Sequence, residues 1–168
     1  MMYNTEIEGF KLRDAEILDI PLYLELLKEL AVYEKLENEL IVTREDVEET
    51  VFKNNRAEIL ISEYNNETVG YIVYFYNFST FTSRAGLYIE DIYIREKFRG
   101  KGFGKEIFKF LAEKAKENKC RRMEWVCLNW NKSAQSFYKS LGALPMDEWT
   151  TFRLNEQDIN KLTKYYKY

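Results

Sequence analysis

The chain has 168 residues, 46% of them hydrophobic, a formal net charge of −3 and no histidine. This length holds one domain with a sizeable core and is short for two, and the apolar share excludes a disordered chain. Without histidine, Ser–His and Cys–His nucleophilic catalysis and the usual zinc sites are excluded, and the slight acidity argues against a nucleic-acid partner.

Phe10 and Leu12 mark a first short strand. Asp19 reads as the cap of a helix with Pro21 in its first turn, and Ile20, Leu24, Leu27 and Ala31 give that helix one apolar face. Thr43–Asp46 reads as a capping-box variant opening a second, shorter helix around Val47 and Val51. The β-rich runs 56–64 and 68–76 are joined by Asn65-Asn66, a hairpin signal. Residues 77–84 read as a loop, and Gly86–Ile94 as a central strand. A helix follows from Lys105 to about Lys116, then a strand over 123–128, a short helix over 132–140 closed by Gly142, and a last strand over 150–154 ending the sheet. A terminal helix starts after Asn155. No repeat, low-complexity tract or Gly/Pro/Ser-rich linker divides the chain. The reading is a single α/β domain over 1–168 with a mixed, mostly antiparallel sheet flanked by helices. No apolar run reaches the ~18 residues of a membrane span and the N-terminus lacks a signal pattern, so a cytoplasmic protein without a membrane partner is expected. Cys120 and Cys127 are too few for a disulfide framework and lack metal-ligand spacing, so no metal is expected.

Between the central strand and the helix after it stands Arg99-Gly100-Lys101-Gly102-Phe103-Gly104. A glycine-rich turn opening a helix offers unpaired N–H groups and the positive end of the helix dipole, which bind anions. Bare glycines let a diphosphate approach, and Arg99, Lys101 and Lys105 add positive charge. A Walker loop would need GxxxxGK[ST], which is absent, and a dinucleotide fold would place its glycines after the first strand of a βαβ unit. The plain alternative is a tight turn with well-packed glycines.

R-x-x-G-x-G after a strand is joined some 27 residues later by Asn131-Lys-Ser133-Ala134-Gln-Ser-Phe137-Tyr138-Lys-Ser-Leu-Gly142-Ala143. Together these resemble the GNAT superfamily of N-acetyltransferases. Lys28–Glu34 matches Lys-Glu-Leu-Ala-x-Tyr-Glu, and Tyr88–Asp91 matches Tyr-[LI]-Glu-Asp, patterns similar to those of the diamine (spermidine/spermine) and thialysine acetyltransferases. The resemblance runs from about residue 10 to 162.

It implies the GNAT-type fold and acetyl transfer from acetyl-CoA to a primary amine of a small cationic acceptor, in a homodimer. Glu90 is implied as the base, acting through a water, and Tyr138 as the acid that protonates the departing sulfur. Strand alternation puts Asp91 on the face opposite Glu90, which gives Asp91 a structural role. Ile92, Tyr93 and Ile94 would offer backbone groups to the pantetheine arm, Arg99 to Lys105 would hold the diphosphate, and Asn131, Ser133 and Ala134 would border the arm. Asn131 also reads as a helix N-cap. Tyr33, Glu34, Glu124, Trp125, Val126 and Glu148, with Glu90, are the implied acceptor-binding residues. Solvated surface acids and ordinary packing are the plain alternatives for them. Where the polyamine enzymes carry Asp-Pro-Trp, this chain has Thr80-Phe-Thr82-Ser-Arg84-Ala, closer to the thialysine branch. Arg84 could then pair with an acceptor carboxylate. The tail Lys164–Tyr168 could pack across a dimer interface. A protein lysine or N-terminal acetyltransferase, and a CoA-binding module without turnover, remain as other readings.

Overall fold

The structure, a computed structural model, describes residues 1–165. The chain forms two compact units, Met1–Val126 and Cys127–Tyr168. Residues 166–168 of the tail lie outside the described residues.

The first unit carries a six-stranded sheet in simple chain order. Its strands are β1 (Met2–Asn4), β2 (Phe10–Asp14), β3 (Glu58–Tyr64), β4 (Glu67–Ser79), β5 (Arg84–Ile94) and β6 (Met123–Glu124). All neighbours pair antiparallel except β5 and β6. The same unit holds α1 (Ile20–Glu34), α2 (Arg44–Val47) and α3 (Phe103–Glu117), with a π-helical turn over Glu48–Lys53 continuing α2. The fold class is the mixed, mostly antiparallel α/β arrangement expected. The second unit contributes α4 (Lys132–Ser140) and α5 (Glu156–Tyr165).

Strand alternation sorts the core into two layers. Ile59, Ile61, Tyr71, Val73 and Tyr93 pack with Ile20, Leu26 and Leu30 of α1 and with Val47 of α2. On the other face Phe103, Ile107, Phe108, Leu111 and Ala115 of α3 are buried, and Phe103 stacks on Phe10 with ring centroids 4.1 Å apart. β4 is buried on both faces from Val69 to Tyr74, so it is the strand whose backbone needs most room. At Gly70 a Cβ would lie 1.8 Å from the Tyr93 carbonyl oxygen, so only glycine lets β4 and β5 pair there.

Several expectations are corrected. A strand precedes the first one read, since Met2–Asn4 pairs with β2. Asp19 does not cap α1 through its side chain. Its carboxylate instead accepts from the Arg13 guanidinium at 2.6 Å and from the Glu16 N–H at 2.8 Å, closing the 3₁₀ turn before the helix. The Thr43–Asp46 capping box forms as read. So does the Asn65-Asn66 hairpin, with φ of 50° and 67° at the two asparagines. The stretch 77–84 is not a loop: β4 runs to Ser79 and β5 starts at Arg84, which leaves a four-residue turn. β6 ends at Glu124 instead of 128. The Leu128 and Asn129 carbonyls accept from the Gln135 side chain at 3.2 and 3.1 Å. Residues 150–154 form no strand, and Phe152 is 91% exposed. Alternation alone does not make a strand where no partner edge pairs with it.

Candidate active site

The glycine turn is built as the sequence implies. Gly100 and Gly102 have φ of 75° and 86°, and Gly102 is the residue before the first turn of α3. A side chain at Gly100 would meet nothing within 4 Å, so this side of the turn is open. The Lys105 and Glu106 N–H groups already donate to the Gly102 carbonyl at 3.0 and 3.3 Å, so the N–H groups before them, with the glycine backbone, make the concave anion site. This cradle fits the diphosphate of a coenzyme A molecule.

Its cations are less committed to that role than their charge suggests. The Lys101 ammonium sits 5.6 Å from the Tyr64 ring centroid and 5.5 Å from that of Phe98. The Arg99 guanidinium lies 4.4 Å over the Tyr33 ring, and its Nε donates to the Ile94 carbonyl at 2.9 Å. Arg99 therefore links the cradle to α1, and one carbonyl of the Ile92–Ile94 edge is already occupied. Lys105 is exposed, while Phe103 is buried in the core and Gly104 is half-buried.

The β5–β6 ladder covers only Leu87 and Tyr88. Beyond it, Ile92, Tyr93 and Ile94 have β4 as their ladder partner among the described strands. That leaves their other edge available to an added strand-like ligand.

A bulge decides the acid cluster. Val73 pairs with Asp91 but Tyr74 pairs with Ile89, so Glu90 is an extra residue in β5. Without it, Glu90 would face α3. With it, Glu90 and Asp91 line one cavity of about 320 Å³, together with Glu34, Glu39 and the apolar side chains Leu27, Leu30, Ala31, Leu36 and Leu40. The expectation that Asp91 turns away from the pocket of Glu90 is thereby overturned. Strand alternation holds only while the register is unbroken.

Asp91 is half-buried and accepts from the Tyr71 hydroxyl at 3.2 Å. Burial, with the charges of Glu90 and Glu34, pushes its carboxyl up to about 6, against the lowering effect of the Tyr71 hydrogen bond. Burial also raises the Glu34 carboxyl. Burial and nearby carboxylates hold Tyr23 and Tyr71 well above an ordinary phenol, so both are neutral.

Other implied acceptor residues lie elsewhere in the first unit. Glu124 pairs with Arg122 at 2.9 Å and accepts from the Asn77 amide at 3.1 Å. Trp125 packs edge-on against Phe108 at 5.0 Å, and Val126 is 67% exposed. Arg84 is exposed at the start of β5 opposite Ser79. Six residue steps along the extended strand separate it from Glu90, roughly 20 Å.

In the second unit, Asn131 caps α4, its Oδ1 accepting from the Ala134 N–H at 3.2 Å. Ser133 is exposed and Ala134 half-buried. Tyr138 is half-buried with its ring 5.6 Å from that of Phe137, and Glu148 is exposed.

The family model described as the acetyltransferase (GNAT) family matches residues 23–143. The chain belongs to that family. It is an acetyl-CoA-dependent N-acetyltransferase, and the chemistry of the cradle agrees with this. It is 34% identical to a thialysine N-epsilon-acetyltransferase of Sus scrofa, covering 90% of this chain and 95% of that protein. It is 31% identical to a human spermidine/spermine acetyltransferase-like protein over 94% of this chain, which spans only 24% of that longer relative. Among solved structures, an integron cassette protein of V. cholerae shares the fold at a TM-score of 0.76 and 22% identity, covering 94% and 99% of the two chains. A predicted acetyltransferase of Clostridium acetobutylicum, solved with acetyl-CoA, gives a TM-score of 0.72 at 23% identity, covering 86% and 96%.

The residue that sequence reasoning set aside in this acetyltransferase is Asp91. Its signal was present, as an acid next to Glu90 in the motif, but the bulge that makes it a cavity residue leaves no mark in composition or spacing. Glu39 was missed for a similar reason, because it reaches the cavity from a 3₁₀ turn, Glu37–Glu39, that no periodicity announces.

Proposed function

We propose that the acceptor of this acetyltransferase is a small cation with two or more ammonium groups, such as a diamine or polyamine, and that acetyl goes to one primary amine. The single observation that carries this is the cavity under α1, where four carboxylates stand beside a hydrocarbon wall. An alkyl diamine presents the complementary pattern, charged ends on an apolar chain. Among the described residues no Lys or Arg lines that cavity, and Arg84 lies at the far end of β5, so none of them is placed there to receive an acceptor carboxylate. The names of the thialysine relatives support the second reading, a basic amino acid.

Bound acetyl-CoA would supply the acyl group as a thioester. The chain's own residues must do the rest. An alkyl ammonium has a pKa near 10, so only about one in a thousand is nucleophilic at neutral pH. Glu90, exposed at the cavity, takes a proton through a water. Glu34 and Glu39 hold the remaining charge of the acceptor. Tyr138 gives its phenolic proton to the departing sulfur, and the start of α3 fixes the donor so that both molecules meet with their entropy already lost.

The test is CoA release against putrescine, spermidine, spermine, thialysine, lysine, ornithine and a lysine peptide. Turnover is expected to be greatest with the diamines and to fall on the order of 10²-fold in Tyr138→Phe. Preference for thialysine or ornithine would establish the amino-acid reading, and turnover of the peptide alone would establish a protein acceptor.

A further inference from the structure

We infer that Asp91 is a second proton acceptor of the acceptor site, working in series with Glu90 because the bulge in β5 turns both carboxylates into one cavity. The inference rests on the amine-acetylating function proposed above and assigns a role that Glu90 alone does not fill.

The chemistry requires two transfers. An acceptor enters as R–NH₃⁺ and leaves as an amide carrying one N–H, so two protons depart from the nitrogen. One must go before attack, to free the lone pair. The other goes as the C–N bond forms and the C–S bond breaks. One proton is finally balanced by the CoA thiol, and the other goes to solvent. A lone carboxylate that had just taken the first proton would be unable to take the second until it discharged.

The two side chains are suited to different steps. Glu90 is exposed and can pass its proton to water. Asp91 is half-buried, and the Tyr71 hydroxyl, donating at 3.2 Å, fixes the carboxylate in place. Tyr71 is itself held by Tyr23, edge-on at 5.2 Å. The groups that face Asp91 are Glu90 on its own strand, Tyr71 from β4, and Tyr23 and Glu34 from α1, with Glu39 on the same cavity wall. Among the residues lining the cavity, none carries a positive charge to hold Asp91 ionised. This environment makes it a stronger base than an ordinary aspartate, with its carboxyl near 6.

The neighbours give two variants with opposite signs. Glu90→Gln removes a like charge and lowers the Asp91 pKa, whereas Tyr71→Phe removes a donor to the ionised form and raises it. Carbon-13 NMR of labelled aspartate carboxyls would follow Asp91 in the substrate-free protein, with Asp91→Asn identifying its resonance. The same pH range is covered by kcat/KM for the best amine, whose acid limb reports groups of the free enzyme.

The expected result is an Asp91 titration near 6 that moves down in Glu90→Gln and up in Tyr71→Phe by about half a pH unit or more. The acid limb of kcat/KM should follow both movements. Asp91→Asn should lose the limb and drop kcat on the order of 10²-fold while still binding acetyl-CoA. Should Asp91→Asn fail to fold, the two neighbouring variants still decide the matter. An active wild type whose limb ignores both of them, or whose Asp91 titrates in the ordinary range, overturns this inference alone. A wild type that acetylates no amine overturns the proposed function and this inference with it.

Discussion

Two regions of the first unit carry different kinds of information. The cradle at Arg99–Lys105 is made from backbone: two glycines at positive φ and the opening turn of α3. The cavity under α1 is made from side chains, Glu34, Glu39, Glu90 and Asp91, brought together by one extra residue in β5. Backbone sites tolerate loss of nearby charges but not a change in φ. Side-chain sites respond in the reverse way. Substitutions in each region can therefore break the contrast.

The largest effect is expected at the cradle glycine. Gly102 sits at φ 86°, with the Ile7 side chain 3.3 Å from where a Cβ would be. A β-branched residue in that conformation is strained by about 1–2 kcal/mol before any contact is counted. If the cradle holds the diphosphate as proposed, the new side chain would also stand in its path. Gly102→Val should weaken acetyl-CoA binding on the order of 100-fold by calorimetry, with no change in amine selectivity. A weakening below about threefold would mean that the backbone is not the site.

The cavity should show a trade between stability and activity. The Asp91 carboxyl lies at about 6 in the folded protein against an ordinary 3.8. Its charged form is thus disfavoured by folding, so wild type is less stable at pH 8 than a variant without that charge. The sign follows from linkage: a raised pKa contributes stability below about pH 4 that is lost as pH rises through 6. Asp91→Asn should then be more stable than wild type by about 2 kcal/mol at pH 8, with the gap closing at pH 4. Thermal melts at both pH values measure this. Equal melting temperatures at pH 8 would show that Asp91 is well solvated.

Glu34 sharpens the division of labour in the same cavity. It is half-buried, its carboxyl is raised by burial, and it lines the cavity beside Glu90 and Asp91. Glu34→Gln should raise KM for a diamine about tenfold and leave the acetyl-CoA Kd unchanged, since one buried charge contact is removed and no transfer step depends on it. A shift in the acetyl-CoA Kd instead would place Glu34 with the donor.

How far each region was legible follows from the same contrast. Gly100, Gly102 and the run after them declare a turn and a helix in sequence, because glycine at positive φ is a local requirement. The α1 face was legible only in part: Ile20 and Ala31 are buried as expected, but Leu26 and Leu30 are the buried leucines while Leu24 and Leu27 are half-buried. The grouping of Glu34, Glu39, Glu90 and Asp91 was not legible, because it depends on a register shift between β4 and β5 that only pairing can reveal. The resemblance carried Glu90 and Glu34 as motif members, and alternation then misdirected Asp91. Residues 150–154 failed for a related reason: they alternate like a strand, but strands need a partner.

The smallest effect should come from the cradle's most conspicuous charge. The Lys101 ammonium stands 5.6 and 5.5 Å from the rings of Tyr64 and Phe98, while the residue as a whole is exposed. An exposed cation–π contact is worth about 0.5–1 kcal/mol, and a solvated ammonium adds little to an anion already held by N–H groups. Lys101→Ala should therefore weaken acetyl-CoA binding by no more than about threefold, and most of that should vanish in 0.5 M salt. A loss comparable to that of Gly102→Val would mean that the lysine leaves its aromatic neighbours when the donor binds. The cradle would then be a charged site after all, and the contrast with the cavity would fail.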